Sequence, residues 1–392
     1  MLLALVWMCA LPPTVALLYF SVEVVLGLRR IPPMKANTAG LNLVVLVPAH
    51  NEELIIGETV RSLRAMVAPT THMLIVADNC SDDTAKTARS YGAEVIERSD
   101  PSRKGKGYAL AFARDYMSSD PPEAVLVLDA DCVVSKGSVE MMAKLAVHKG
   151  EPMQSVNLLS APQDASPLVL LSNFAMVIKN LVRARGLYRL GGGIPLFGTG
   201  MAFPWNVFSR LDLATADTVE DLRLSLILAQ TGIKVHLYEG LQVTSAAAPL
   251  KESLGQRRRW EHGFLENASK YGLRSLIRGL FINSRHLGFL GAHLLVPPLA
   301  LLALMAGLTF IPASLLAAFA TNPWPMVLLA GALVTAIVAT GLAWHREGRA
   351  VLGPGTLARA PFYVLWKIPL YLGFIFSRQR EWNRTRRVNE ES

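Results

Sequence analysis

The apolar positions of this chain fall into two textures, long uninterrupted runs at its ends and short runs separated by polar clusters in its middle. From Met1 to Leu28 the only charge is Glu23, and about 20 apolar residues suffice for a helix to cross a hydrocarbon core. Arg29, Arg30 and Lys35 follow the run instead of preceding it. That order predicts an uncleaved anchor over 1–28 with the following chain in the cytoplasm. From Leu287 to Trp344 there is no Asp, Glu, Lys or Arg, which predicts two crossings within 287–345. Thr321-Asn322-Pro323-Trp324-Pro325 is the expected outer turn, and His345-Arg346-Glu347-Gly348-Arg349 the inner return. A third apolar piece, Pro361 to Phe376, contains Lys367 and leads into a basic tail over 378–392. Positive-inside bias favours an interfacial helix over 358–377, with a third C-terminal span as the alternative.

The middle, from 39 to 278, alternates short apolar runs with helical periods, the pattern of an α/β domain built on a mostly parallel sheet. Leu43–Val47 reads as a buried strand stopping at Pro48, and Asn51 is placed to cap a helix starting near Glu52 or Glu53. Met73–Ala77 is the next strand, followed by the polar loop Asp78-Asn79-Cys80-Ser81-Asp82-Asp83. Val125–Leu128 is a third, ending in Asp129-Ala130-Asp131. In open α/β sheets ligands bind beyond the carboxyl ends of strands, where all three runs place their polar residues.

Composition agrees with the membrane reading. Of 392 residues 52% are hydrophobic and 18% charged, against about 25% charged in soluble domains. Lys and Arg exceed Asp and Glu by 39 − 30 = +9, and many of these cations lie beside apolar segments, where anionic lipid suits them better than nucleic acid. Cys9, Cys80 and Cys132 are odd in number and have no metal-ligand spacing, so no disulfide framework or zinc site is expected.

Four clusters can carry chemistry. Asp129 and Asp131 bracket one residue past a strand, and two adjacent carboxylates repel unless a cation joins them; a polar turn with a helix cap has the same sequence. Arg103-Lys104-Gly105-Lys106-Gly107 precedes a helical run, so backbone amides and a lysine can meet a phosphate together, although a solvated basic loop looks alike. Thr218-Val219-Glu220-Asp221 opens a helix, where Asp221 either completes a capping box or accepts a proton as a general base. Gln256, Arg259 and Trp260 share one helix face, offering an amide, a guanidinium and a flat ring to a saccharide diphosphate, or to lipid headgroups.

Together with Val47-Pro48-Ala49-His50-Asn51-Glu52 and Gly198-Thr199-Gly200, this ordered set resembles the family 2 glycosyltransferases of GT-A fold, which include membrane-bound bacterial polysaccharide synthases and chitooligosaccharide synthases. The resemblance implies that Pro48, Asn51, Glu52 and Asp78 cradle a nucleoside and that Lys106 approaches the diphosphate. It implies that Asp131 with Asp129 holds Mg²⁺ or Mn²⁺, and that Asp221 is the base of an inverting displacement. Gly198, Thr199, Gly200, Glu220, Gln256, Arg259 and Trp260 would complete the diphosphate and acceptor pocket. The implied function is hexosyl transfer from a nucleotide-diphosphate sugar to a membrane-held, lipid-linked saccharide in exopolysaccharide or cell-envelope synthesis, at a bacterial inner membrane. A processive β-polysaccharide synthase is the alternative within the class; a non-catalytic membrane-tethered scaffold that binds a nucleotide sugar is the alternative outside it.

Overall fold

The computed structural model describes residues 2–36, 40–162, 165–217, 219–247, 250–319 and 322–376. Thr218, Thr321 and the basic tail lie outside them. The chain forms two compact units that interleave along the sequence. One comprises Met1–Arg30, Ala161–Gly191 and the chain from Ser253 through the C-terminal helices, the other Ile31–Ser160 and Gly192–Glu252.

The second unit is built on eight strands: β1 (Leu43–Ala49), β2 (His72–Asp78), β3 (Glu94–Arg98), β4 (Ala124–Val127), β5 (Cys132–Gly137), β6 (Met153–Ser160), β7 (Met201–Pro204) and β8 (His236–Ala246). They form one sheet in the order β3-β2-β1-β4-β7-β6-β8-β5. The half β3-β2-β1-β4 is parallel throughout, β4–β7, β7–β6 and β8–β5 are antiparallel, and β6–β8 is parallel. β1 and β4 are apolar because helices cover both faces of the parallel half. The helix Glu53–Met66 contributes Ile56, Val60 and Leu63 to this core at i, i+4 and i+7. The helix Val139–Lys149 is closed at both ends, by the Ser138 hydroxyl accepting from the Met141 amide at 3.1 Å and by Gly150 at φ +66°. Asn51 does not cap its helix as expected. It sits at φ +55° and its side-chain oxygen accepts from the Ser81 amide at 2.8 Å, tying the loop after β1 to the loop after β2.

One ion pair gives this unit a pH response. His236 meets Glu151 at 2.6 Å. Burial lowers the imidazole below its ordinary 6.5, more than Glu151 raises it. Burial raises Glu151, but His236 and the Lys234 amide outweigh it and hold the carboxyl below 4.5. Both folded-state values lie below the unfolded ones, so both contributions are full above about pH 6.5 and decline on acidification. The thermal midpoint is expected to fall between about pH 6.5 and 4, less steeply in His236→Gln; parallel pH curves for the two proteins would exclude the pair as a cause.

The first unit is helical. Among its described residues four helices, Leu3–Gly27, Pro167–Gly191, Leu299–Phe319 and Trp324–Gly348, are long and apolar enough to cross a membrane. They mark the chain as a membrane protein. The sequence reading leaves Pro167–Gly191 inside the α/β stretch, because Lys179, Arg183, Arg185 and Arg189 interrupt its hydropathy. The structure groups it with the terminal helices and shows where the charge goes. Arg183 Nε donates to Glu23 at 2.6 Å, His293 Nδ1 lies 2.7 Å from the other Glu23 oxygen, and Arg185 donates to Glu347 at 2.7 Å. A Cβ at Gly186 would stand 1.9 Å from the Glu23 carbonyl, and one at Gly27 1.8 Å from that of Val182, so these two helices touch backbone to backbone. Removing one member of a buried ion pair costs about 3–5 kcal/mol. Glu23→Ala is therefore expected to lower the unfolding midpoint of the detergent-solubilised chain markedly, and an unchanged midpoint would mean that the cluster contributes nothing.

The C-terminal apolar piece is two short helices, Ala360–Trp366 and Ile368–Phe376, broken at Lys367. Lys367 is buried, paired with Glu261 and set 5.3 Å from the Tyr363 ring centre. His262 Nε2 lies 2.9 Å from the Leu370 carbonyl, so both pieces are pinned to the helix Leu250–Asn267.

Candidate active site

The parallel register lines up the carboxyl ends of the strands. Ala49 on β1 lies opposite Ala77 on β2, and Asp78 opposite Arg98 on β3. His50 Nδ1 lies 2.7 Å from the Asp78 carbonyl. The Glu52 amide donates to Thr84 Oγ1 at 2.7 Å, and the Glu53 amide to Asp82 at 3.2 Å. The two loops after β1 and β2 are thus laced into one rim bearing Pro48, Asn51, Glu52 and Asp78. Arg98 holds Asp78 at 2.6 Å, donates to the Arg103 carbonyl at 2.9 Å and lies 5.5 Å from the Tyr108 ring centre. It therefore links the rim to the chain leading into the Lys106 helix. Asp100 caps that connection, accepting from Ser102 Oγ at 2.6 Å and Arg103 Nε at 2.7 Å, which holds its carboxyl at about 2.

Lys106 begins the helix Lys106–Met117, whose start requires Gly105 at φ +127°; a Cβ on Gly107 would strike the Leu213 carbonyl at 2.4 Å. The Lys106 ammonium pairs with Asp129, donates to the Gly198 carbonyl at 2.6 Å and stands 3.9 Å from Glu220. Burial alone would lower its pKa, but Asp129, Glu220 and Asp221 together raise it above the ordinary lysine value. It stays charged. Burial drives Glu220 up to about 7, with Lys106 opposing and Asp221 reinforcing.

Asp129 follows β4, and its amide donates to Thr199 Oγ1 at 3.0 Å. Oxygen atoms of Asp129 and Asp131 and the sulfur of Cys132 lie within 4.8 Å of one another, a spacing one metal ion can span. Burial holds the Cys132 thiol well above its ordinary pKa, with Asp131 and Asp129 adding to it, so it remains a thiol. The effective donors are carboxylate oxygens, which suit a hard divalent cation. Charge points the same way. Asp129, Glu220 and Asp221 all act on the Lys106 ammonium, Asp131 stands beside Asp129, and a diphosphate entering that field is repelled until a cation offsets it.

Asp221 is the second residue of the helix Glu220–Gln230, and its Oδ1 accepts from the Leu222 amide at 2.8 Å. Gly198, at φ +84°, brings the loop 198–200 to it, since a Cβ there would lie 3.4 Å from Asp221 Oδ2. Two residues passed over in the sequence hold this loop. Gln154, fully buried in β6, donates to the Thr199 carbonyl at 2.8 Å and the Gly200 carbonyl at 3.2 Å and accepts from the Phe197 amide at 2.8 Å. Ser225 accepts from the Leu196 amide at 2.7 Å and donates to the Asp221 carbonyl at 2.7 Å. The available signal was the polar pair Gln154-Ser155 interrupting an apolar strand. Lys106, Asp129, Asp131, Gly198, Thr199, Gly200, Glu220 and Asp221 are thus gathered in one place. Gln256, Arg259 and Trp260 are half-buried on the helix Leu250–Asn267, which from Ser253 onward belongs to the first unit.

A mostly parallel sheet with an Asp-x-Asp turn, a buried lysine and a carboxylate at a helix start at its carboxyl edge is the arrangement of a GT-A fold. The family profile described as "Glycosyltransferase like family 2" matches residues 41–263. The chain belongs to that family. The 4,4'-diaponeurosporenoate glycosyltransferase of Staphylococcus aureus (strain USA300) is 36% identical over 83 residues, 20% of this chain and 22% of that protein. The chain thus spans about a fifth of the length of the curated relatives it matches. A mannosyltransferase from Pyrobaculum calidifontis, solved with GDP-Man and Mn²⁺, superposes with a TM-score of 0.58 at 15% identity, covering 97% of this chain and all of that one. Its likeness is one of fold.

Proposed function

We propose that the chain is an inverting glycosyltransferase that moves a sugar from a nucleotide-diphosphate sugar, by way of Mg²⁺ or Mn²⁺, to an acceptor held in the membrane. The observation that carries this reading is the cluster of Lys106, Asp129, Asp131 and Asp221 around the loop 198–200. Asp129 and Asp131 would hold the cation, which offsets charge on the leaving diphosphate. Lys106 supplies a second positive charge to the phosphates, and the rim of Pro48, Asn51, Glu52 and Asp78 seats the nucleoside. Asp221 accepts the proton of the acceptor hydroxyl as its oxygen attacks the anomeric carbon from the face opposite the leaving group. The unit bearing the site faces the cytoplasm, where nucleotide sugars are made.

The acceptor is amphiphilic, either a lipid-linked saccharide of cell-envelope or exopolysaccharide assembly or an apolar carboxylic acid like that named for the Staphylococcus relatives. The four candidate spans among the described residues support single transfer over processive polymerisation. The deciding experiment supplies purified protein in lipid with a panel of nucleotide sugars, Mg²⁺ or Mn²⁺ and an acceptor lipid extract, measures nucleotide release and sizes the product. One added sugar on a lipid is the expected result. A ladder of long chains would replace this reading by a processive synthase, and donor binding without turnover on any acceptor by a scaffold.

A further inference from the structure

The turn that carries Asp129 and Asp131 has two shapes open to it, and a threonine outside the turn selects one. The Cys132 amide donates to the Asp129 carbonyl at 3.1 Å, closing a four-residue turn with Ala130 and Asp131 at its centre. In such a turn the central peptide, here Ala130–Asp131, has two opposite orientations, which place the second central residue at negative or at positive φ. Asp is one of the few residues that tolerates the positive value. The structure holds the other orientation, since among the described residues positive φ outside glycine is confined to Asn51, Asn79 and Asn283. The selecting group is Thr59, on the helix Glu53–Met66. Its hydroxyl lies 2.5 Å from the Ala130 carbonyl and 3.1 Å from the Ile55 carbonyl one turn back in its own helix. A hydroxyl has one proton to give. A helical threonine commonly gives it to the carbonyl four residues back, but here the shorter contact reaches 71 residues along the chain to the turn. Thr59 and Ala130 are both buried, so water does not substitute for either partner.

We propose that Thr59 is a positioning residue for the divalent-cation site, holding the Ala130 carbonyl so that the Asp131 carboxylate stays converged with that of Asp129. The proposal rests on the reading of these two aspartates as the cation's ligands. Thr59 touches neither cation nor donor and acts through the peptide between the two aspartates. Thr199 does the complementary work one peptide earlier, its Oγ1 accepting from the Asp129 amide at 3.0 Å. Each carboxylate therefore hangs from a peptide fixed by a threonine hydroxyl. The platform under Thr59 is rigid, because Ile56, Val60 and Leu63 root its helix in the core. The same helix starts directly after Glu52, so the rim that would seat the nucleoside and the turn that would hold the cation share one element and keep one separation.

The test compares Thr59→Val, which keeps the shape and removes the hydroxyl, with Thr59→Ser, which keeps the hydroxyl. The full chain in detergent is titrated with Mn²⁺, alone and with GDP or UDP, and free Mn²⁺ is followed by electron paramagnetic resonance. Thr59→Val is expected to weaken Mn²⁺ binding by about 10–100-fold, the usual loss when a group that orients a metal's ligands is removed. Thr59→Ser is expected to stay close to the wild type. In turnover, the Mn²⁺ concentration for half-maximal rate rises in Thr59→Val while kcat at saturating Mn²⁺ is largely kept. Ile56→Val, a core substitution on the same helix, controls for lost stability: it lowers the thermal midpoint and leaves Mn²⁺ binding unchanged. Equal Mn²⁺ affinity in wild type and Thr59→Val, or binding in Thr59→Ser as weak as in Thr59→Val, would overturn the proposal and leave the cation reading standing. Wild-type protein that binds no Mn²⁺ under any of these conditions would overturn the cation reading, and the role of Thr59 with it.

Discussion

Asp221→Asn is expected to lower the turnover of sugar transfer by about 10²–10⁴-fold, the usual contribution of a positioned general base, while donor affinity changes little. The substitution is structurally conservative. The amide oxygen of Asn can still accept from the Leu222 N–H, which Asp221 Oδ1 holds at 2.8 Å, so the start of the helix Glu220–Gln230 is kept. The proton acceptor beside Gly198 is lost. Turnover from purified protein and nucleotide affinity by titration calorimetry together separate the two effects. Wild-type turnover in the variant would remove Asp221 from the chemistry, and a parallel collapse of donor affinity would assign it to binding.

Asp131→Ala should act at the other end of the reaction. Loss of groups that merely orient a metal's ligands costs 10–100-fold in metal affinity, so loss of a direct ligand is expected to cost at least about as much. Mn²⁺ binding followed by electron paramagnetic resonance in the presence of the nucleoside diphosphate reads this without any turnover. Donor affinity that is the same with and without Mn²⁺ in the wild type would remove both Asp129 and Asp131 from metal binding. Asp129 is paired with Lys106 before any donor arrives, so its removal would also release that ammonium, and Asp131 is the position substituted for this reason.

The parallel half of the sheet was legible because burial on both faces writes a strand as a continuous apolar run, as in Leu43–Val47, Met73–Ala77 and Val125–Leu128. β3 has no such run. Glu94-Val95-Ile96-Glu97-Arg98 is an edge strand whose alternation is too short to separate from a loop. Pro167–Gly191 escaped notice for the opposite reason, since its cations look solvated until Glu23 and Glu347, both more than 140 residues away, are seen to pair with them. In the site, Asp129, Asp131, Lys106 and Asp221 stood out because each follows a strand or opens a helix. Gln154, Ser225 and Arg98 work through contacts 20 to 46 residues distant, which local pattern does not encode.

The interleaving of the two units sets an order on biosynthesis. β6 leaves the ribosome before Ala161–Gly191, while its neighbours in the sheet, β7 and β8, leave after it. Until then β6 has neither flank paired, and an unpaired strand edge is an invitation to aggregate. A nascent chain stalled just beyond Gly191 would therefore carry a half-built sheet together with an apolar helix already seeking lipid, and the membrane-insertion machinery and chaperones would have to work on the same molecule at the same time.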